Sequence, residues 1–222
     1  MTIIDTVLKE GRTKLSEWES SQFLESYGIP LARQLLVQNR PQLVEAVGKI
    51  GFPLVLKGCS PSVSHKTDLG IVRLDIRSEE EALLAYDEIR SKMNGSGTDV
   101  IVQEMVKGQR ELMAGLVRDP QFGPCVMFGL GGIFTEILQD VAFRLAPLDE
   151  KDAYDLMRDI RGHRILDGVR GMEPVDSKLL AQILMTLGNI GLENPRIKEV
   201  DINPLIVRGA KPIAVDTLIV LE

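Results

Sequence analysis

Hydrophobic and polar positions follow two different patterns along the 222 residues, and the pattern changes near residue 95. Before that point, segments with helical periodicity and capping residues are interleaved with short apolar runs. These segments predict helices at 2–11, 16–28, 41–51 and 78–93, and strands at 31–37, 52–57 and 71–76. The first part of the chain is therefore predicted to be a small α/β unit.

Residues 94–98, Asn-Gly-Ser-Gly-Thr, have the composition of a flexible linker. Beyond them, short apolar runs predict strands of one mostly antiparallel sheet, at 100–104, 111–118, 125–130 and 141–146. Further elements are helices from Asp149 and Asp176 and closing strands at 197–202 and 213–221. We therefore expect an α/β (α+β) chain of two subdomains, 1–97 and 98–222, with a cleft between them.

Composition excludes several classes of protein. With 26 basic and 32 acidic residues the net charge is −6, so no basic excess is available to neutralise a nucleic acid. The two cysteines, Cys59 and Cys125, lack the spacing of a metal site and indicate a reducing compartment. The sequence also predicts no signal peptide and no membrane span, so we expect a cytoplasmic protein.

The most informative stretch is 52–73, where an apolar run ends in Lys57 and leads into a loop of small and turn-forming residues at 58–70. This loop, which we expect to be mobile, contains His65 and Lys66. A lysine holds an anion as a point charge, and a histidine carries a proton or acts as a nucleophile, so the pair suits phosphate chemistry. The alternative is a solvated lysine and an exposed loop histidine.

Two later stretches carry further candidate chemistry. Residues 102–108 pass from a strand into a turn, and a hinge there would present main-chain groups to a purine edge; the alternative is an ordinary strand and surface turn. Asp201 and Asn203 alternate on one predicted strand, so they share a face, and Asp216 lies on the next strand. Their oxygens suit Mg²⁺. The alternative is turn chemistry at strand ends.

Glycines and two arginines provide candidate anion contacts. The segment 129–132 has three glycines in four residues, which permits close approach of the main chain to an anion, although its spacing is not that of a dinucleotide fingerprint. Arg144 lies in an apolar strand and Arg170 is flanked by glycines. Either arginine would bind a phosphate or carboxylate, or form a structural ion pair. His163, in a basic turn, is predicted to be a surface residue.

Taken in order, these segments resemble the ATP-grasp superfamily and, more narrowly, the β subunits of ADP-forming acetyl-CoA (acyl-CoA) synthetases, which are relatives of succinyl-CoA synthetase. The resemblance extends over about residues 15–221 and is carried by segments in a specific order. These segments are 53–57, 65–70, 103–105, 111–112, 129–132, 143–147, 168–171 and 201–205. One departure is that Gly70 is followed by Ile71, where the family usually has a second glycine.

The resemblance implies an ATP-grasp fold whose two subdomains bind a nucleotide between them. It implies the following roles: phosphate binding by Lys57; adenine binding by Gln103, Glu104, Met105 and Val106; contact near the ribose and phosphates by Glu111; and Mg²⁺ binding by Asn203 and Asp216, with Asp201 as a third candidate. His65 would be a phosphohistidine relay. Further phosphate contacts are expected among Lys66, Gly131, Gly132, Arg144 and Arg170.

The resemblance also implies a function. The chain would be the nucleotide-binding β subunit of a ligase that interconverts acyl-CoA, ADP and phosphate with acid, CoA and ATP. A separate α subunit would carry the CoA-binding domain and the first phosphohistidine, in an α₂β₂ heterotetramer. Two alternatives are a non-catalytic, nucleotide-binding regulatory module and a stand-alone ATP-grasp carboxylate ligase.

Overall fold

The computed structural model describes residues 2–60, 70–93, 99–132, 139–168 and 171–222. The chain folds as two compact units, each built around one sheet. The four-stranded unit comprises Ser16–Trp18 and Ala32–Met105. The six-stranded unit comprises Met1–Leu15, Glu19–Leu31 and Val106–Glu222.

The four-stranded unit has the strand order β1-β4-β2-β3, and all neighbouring strands are antiparallel. Its strands are β1 (Gln34–Val37), β2 (Leu54–Cys59), β3 (Val72–Ile76) and β4 (Asp99–Glu104). Helices α3 (Arg40–Ile50) and α4 (Glu79–Lys92) pack on one face, where Leu54 and Leu56 are fully buried. Because side chains alternate along a strand, Val55 and Lys57 point to the opposite face.

Local signals explain where these helices begin. The Asn39 side chain accepts a hydrogen bond from the Gln42 N–H at the start of α3, and the Ser78 side chain accepts one from the Glu81 N–H at the start of α4. Gly51 ends α3 with a φ of 81°, a conformation that glycine adopts at little cost. These caps therefore determine where both helices begin. Their buried apolar side chains pack them on one face of the sheet.

The six-stranded unit has the strand order β10-β8-β5-β6-β7, with β9 also paired to β8. Its strands are β5 (Glu111–Asp119), β6 (Gly123–Leu130), β7 (Val141–Leu145), β8 (Ile197–Arg208), β9 (Lys211–Ala214) and β10 (Thr217–Leu221). Its helices are α1 (Ile3–Lys9), α2 (Glu17–Ser26), α5 (Glu150–Asp159) and α6 (Ser177–Glu193), with a 3₁₀ turn at His163–Leu166. One continuous apolar core joins these helices to the sheet, and α6 contributes six buried side chains to it.

The structure corrects the predicted pairing of one strand. The run 100–104 was expected in the same sheet as 111–118, but β4 lies between β1 and β2 in the four-stranded sheet. Its Val100 and Val102 are buried among α3 and α4, which explains the pairing. Alternation along the chain identifies the strand but not the sheet it joins.

The expected fold class is confirmed, because the chain is a mixed α/β fold with two sheets flanked by helices. The compact units differ from the ranges 1–97 and 98–222, which remain a prediction, and the proposed linker 94–98 lies outside the described residues. No helix in the described ranges combines the length and the apolar composition needed to cross a membrane.

Candidate functional site

Lys57 lies in β2, on the face of the four-stranded sheet opposite α3 and α4. Its Nζ donates a hydrogen bond to Oε1 of Glu17 at 2.7 Å. The lysine side chain is 7% exposed and the glutamate side chain 1%, so this is a buried ion pair. The solvated lysine that was the alternative is therefore wrong, and the structure presents a fixed, buried cation on this face.

Gly58 explains how β2 passes so close to α4 immediately after Lys57. A Cβ atom at Gly58 would collide with the Met93 sulfur and lie 3.1 Å from Cδ1 of Ile71 and 3.2 Å from Cγ2 of Ile89. The Gly58 N–H also donates to the Ile71 carbonyl at 2.9 Å. The absence of a side chain at this position therefore lets β2 pack closely against the C-terminal end of α4.

The segment that was expected to line an adenine begins in β4. The Gln103 side chain is buried and donates to Oε1 of Gln34 at 3.1 Å. The Glu104 carboxylate accepts the Arg33 main-chain N–H at 3.0 Å, and the Met105 N–H donates to the Pro53 carbonyl at 3.2 Å. These contacts fix the main chain of this segment. The nucleotide contacts expected of Gln103, Glu104, Met105 and Val106 stay predictions.

The structure brings the three metal candidates together where the middle of β8 lies beside the start of β10. Asp201 and Asn203 are alternate residues of β8, and Asp201 pairs with Leu218 of β10. The Asn203 N–H donates to the Asp216 carbonyl at 3.2 Å, which places Asp216 beside β8. Burial, then Glu199, then Asp216 raise the pKa of Asp201 to about 6. Crowded acidic groups of this kind are stabilised by a cation.

A divalent cation fits this donor set. Oδ1 of Asp201 is buried and has no hydrogen-bond partner among the described residues. A metal would satisfy this oxygen and relieve the repulsion between Asp201 and Asp216. The described residues contain no group of three or more His, Cys, Asp and Glu side chains suited to a metal, so the amide of Asn203 would complete the set. Two carboxylates and one amide leave room for water and phosphate oxygens, as Mg²⁺ prefers.

We expect Asp201→Asn to stabilise the metal-free protein at neutral pH and to lose that advantage in acid. The folded-state pKa of Asp201, about 6, lies above the usual value of 3.8. Proton binding to Asp201 therefore stabilises the folded state. This stabilisation is fully present below the unfolded-state pKa and is lost as the pH rises through about 6. At pH ~7.5 the ionised carboxylate costs the folded state about 3 kcal/mol, which the amide avoids.

Urea unfolding in EDTA at pH ~7.5 and ~4.5 measures this difference. Glu25→Gln, which removes an exposed carboxylate of α2, is the control and should change the free energy of unfolding by less than about 0.5 kcal/mol. The prediction is contradicted if the advantage of Asp201→Asn is the same at both pH values.

Glu111 begins β5 and lies against two of the candidate glycines. The Gly131 N–H donates to the Glu111 carbonyl at 2.8 Å, and a Cβ at Gly131 would lie 2.5 Å from the Leu112 carbonyl oxygen. A Cβ at Gly132 would collide with the Glu111 carboxylate, and Gly132 has a φ of 63°. These glycines therefore have a structural role next to Glu111. Their predicted anion contacts, and that of Glu111, remain untested.

Arg144 has the structural ion pairs that the sequence left open as an alternative. Its guanidinium lies 2.6 Å from the Asp159 carboxylate and 3.5 Å from that of Asp152, both in α5. His163 is exposed, as predicted, and its Nδ1 lies 3.1 Å from the Ile160 carbonyl oxygen. His65, Lys66 and Arg170 lie outside the described residues.

Among the described residues, sequence reasoning missed three buried charged side chains. Glu17 pairs with Lys57, and Asp140 accepts the Arg161 and Gly162 N–H groups at 2.8 and 2.7 Å after α5. Arg110, beside Glu111, donates to four main-chain carbonyls. Each partner is distant in sequence or is a main-chain group, so no local pattern pointed to these contacts.

Comparison with known proteins defines the class. The model of the ATP-grasp domain family matches residues 6–221. The β subunit of acetate–CoA ligase [ADP-forming] I from Pyrococcus furiosus is 42% identical over 99% of this chain and 96% of that subunit. Acetate–CoA ligase [ADP-forming] I from Archaeoglobus fulgidus is 38% identical over 99% of this chain, but this chain covers only 32% of that longer protein.

Solved structures agree with this class. Acetyl-coenzyme A synthetase 1 of Ca. Korarchaeum cryptofilum, in complex with coenzyme A and Ca-AMPCP, is 43% identical with a TM-score of 0.93, over 99% of this chain and 98% of that one. The same synthetase with coenzyme A and Mg-AMPPCP, its phosphohistidine segment pointing towards the nucleotide binding site, is 43% identical with a TM-score of 0.87 over the same shares. The chain therefore belongs to the ATP-grasp family and, within it, to the family of ADP-forming acetate–CoA ligase β subunits.

Proposed function

We propose that this chain is the nucleotide-binding β subunit of an ADP-forming acetyl-CoA or acyl-CoA synthetase. The enzyme would interconvert acyl-CoA, ADP and phosphate with acid, CoA and ATP. The observation that carries this proposal is the 42% identity to a β subunit of such a ligase over 99% of the chain. The buried ammonium group of Lys57, together with a Mg²⁺ ion held by the acidic cluster at Asp201, would supply the positive charge that phosphoryl transfer needs.

The proposed nucleotide contacts are those that the resemblance to the ATP-grasp family implies. Lys57 binds the phosphates, Glu111 lies near the ribose and phosphates, and the segment from Gln103 to Val106 lines the adenine. Because Lys57 is already held in place, it would meet a phosphate oxygen without a large rearrangement of its stem. Positioning of this kind is the main contribution a protein makes to phosphoryl transfer.

Asn203, Asp216 and Asp201 would hold Mg²⁺, which is consistent with the unpartnered Asp201 oxygen and the crowding of acidic groups there. When bound, Mg²⁺ neutralises negative charge on the phosphate oxygens. The protein's own part would be to hold Asp201 and Asn203 on β8 and Asp216 beside them, in the segment between β9 and β10.

His65 is the proposed phosphoryl carrier. A ring nitrogen of His65 would form a P–N bond as the P–N bond to a histidine of the α subunit breaks. An oxygen of the ADP β-phosphate would then attack, the bond to His65 would break, and ATP would leave. In the related synthetase, a phosphohistidine segment points towards the nucleotide binding site, which supports this role for the His65 segment.

The proposal includes an α subunit that carries the CoA-binding domain and the first phosphohistidine, in a cytoplasmic α₂β₂ assembly. The β-subunit relative and the longer A. fulgidus protein, of which this chain covers about a third, support a division of the reaction between two parts.

Reconstitution tests the proposal. The isolated chain should bind Mg-ADP by calorimetry yet release no CoA from acetyl-CoA, and adding its cognate α subunit should give ADP- and phosphate-dependent CoA release. Turnover by the isolated chain would indicate a stand-alone ligase. Binding without turnover in the presence of a cognate α subunit would indicate a regulatory module, and either result would overturn the proposal.

A further inference from the structure

The buried ion pair between Glu17 and Lys57 contains a residue to which no role has been assigned. Glu17 is the first residue of α2 and belongs to a three-residue segment, Ser16–Trp18, that is part of the four-stranded unit. The flanking residues, Met1–Leu15 and Glu19–Leu31, belong to the six-stranded unit. The chain therefore enters the four-stranded unit briefly, and Glu17 contacts Lys57 there.

Stability alone is a weak explanation for this pair. Burying a carboxylate and an ammonium group costs several kcal/mol per ion, and an apolar pair of similar volume often serves the fold as well or better. The 1% exposure of the Glu17 side chain means that almost all of that cost is incurred. A buried pair does, however, fix the place of each charge, which an apolar pair does not.

A lysine that binds phosphate needs its ammonium group held in one place, and Glu17 does this for Lys57. A lysine stem has four rotatable bonds, and immobilising it costs up to about 2 kcal/mol of side-chain entropy. The 2.7 Å bond to Glu17 restricts the ammonium group before any ligand arrives. An ammonium group has three N–H donors in a tetrahedral arrangement, so bonds to Glu17 and to phosphate oxygens are compatible.

We propose that Glu17 is a positioning residue for nucleotide binding: it holds the ammonium group of Lys57 where the nucleotide phosphates bind. This inference rests on the proposed function, in which Lys57 contacts the phosphates. Glu17 itself touches no reacting atom in this scheme. Its effect is exerted through Lys57, so the two side chains act as one unit and their substitutions are non-additive.

The same helix offers a matched control. Glu19 lies two residues further along and pairs with Arg12 at 2.7 Å, with side chains 24% and 21% exposed. Glu19→Gln removes the same charge from the same helix, also from an ion pair, but the partner in that pair is Arg12 and not Lys57. A loss that follows from weakening α2 would appear in both variants, whereas a loss through Lys57 would appear only in Glu17→Gln.

The test measures the Kd for Mg-ADP by calorimetry in the wild type, Glu17→Gln, Glu19→Gln, Lys57→Met and the Glu17→Gln/Lys57→Met double variant. We expect Glu17→Gln to raise Kd about tenfold and Glu19→Gln to leave it within about twofold. Lys57→Met should raise Kd at least as much as Glu17→Gln, and the double variant should be no worse than Lys57→Met. In the reconstituted enzyme, the KM for ADP should rise by a larger factor than kcat falls.

The outcomes separate the inference from the proposed function. If the wild type does not bind Mg-ADP, both fail. If it binds, and Lys57→Met weakens binding while Glu17→Gln binds like the wild type, the positioning role is overturned and the proposed function stands. Additive losses in the double variant would also overturn it. Should Glu17→Gln fail to fold, Glu17→Asp, which keeps the charge but retracts it by one methylene, must raise Kd severalfold for the inference to survive.

Discussion

Replacing His65 with asparagine should lower CoA release by the reconstituted enzyme by a factor of about 1,000 or more, whereas the Kd for Mg-ADP should change less than about twofold. The asparagine side chain is similar in size and keeps hydrogen-bonding groups, but its amide nitrogen is not a nucleophile for phosphate. A carrier that cannot form the P–N bond stops transfer between the two subunits. It leaves intact a nucleotide contact that depends on Lys57 and the Asp201 cluster.

Radiolabelled ATP gives the second measurement for His65. The wild-type chain should become labelled in an acid-labile form in the presence of the α subunit, and the His65→Asn chain should not. Ser62→Ala, a change in the same segment, serves as the control and should retain both label and turnover. Normal turnover by His65→Asn, or label retained on that variant, would show that phosphate passes to ADP without this histidine.

The sequence predicted the helices well because their signals are local. The side chains of Ser78, Asp149 and Asp176 each accept the main-chain N–H three residues ahead, as the patterns of cap residues indicated. The face shared by Asp201 and Asn203 followed from the two-residue period of a strand and is present in β8. These predictions needed only neighbours in the chain.

The predictions that failed depended on distant partners. Alternation identified β4 as a strand, but its place between β1 and β2 follows from how Val100 and Val102 pack under α3 and α4. Lys57 at a strand end indicated a solvated or ligand-binding group equally well. Its burial depends on Glu17, forty residues earlier. In the sequence, Glu17 stands at the start of a predicted helix, and no local pattern there indicates that its carboxylate pairs with Lys57.

The raised pKa of Asp201 shows why a candidate metal site needs the fold as well as the motif. Spacing suggested two oxygen ligands, and turn chemistry explained the same residues equally well. The fold adds burial, the neighbouring Glu199 and the approach of Asp216 from the segment before β10. Together these raise the cost of an ionised Asp201, and this energetic demand for a cation, rather than the residue types alone, favours the metal interpretation.

Arg110→Met should lower the free energy of unfolding by about 3 kcal/mol. Arg110 is 3% exposed, and its guanidinium donates to the carbonyls of Ile165 and Asp167 at 3.2 and 3.3 Å and of Glu173 and Gly209 at 2.7 and 3.1 Å. Methionine fills much of the space of the stem but donates nothing, so four main-chain acceptors lose a charged donor. A planar guanidinium has five N–H donors in a fixed fork and reaches all four acceptors, whereas an ammonium group has three donors on one nitrogen, so Arg110→Lys should recover less than half of the loss.

Urea unfolding of the isolated chain measures this change, and an unchanged m-value with a lower midpoint would place the loss in the folded state. Arg77→Met is the matched control, because Arg77 is 68% exposed and pairs across the surface with Asp75, so its loss should stay within about 0.5 kcal/mol. The four acceptors lie on both sides of residues 169–170 and beside the turn that follows β8, while Arg110 directly precedes Glu111. A loss from Arg110→Met no larger than that of Arg77→Met would mean that packing, not these hydrogen bonds, holds the segment next to Glu111.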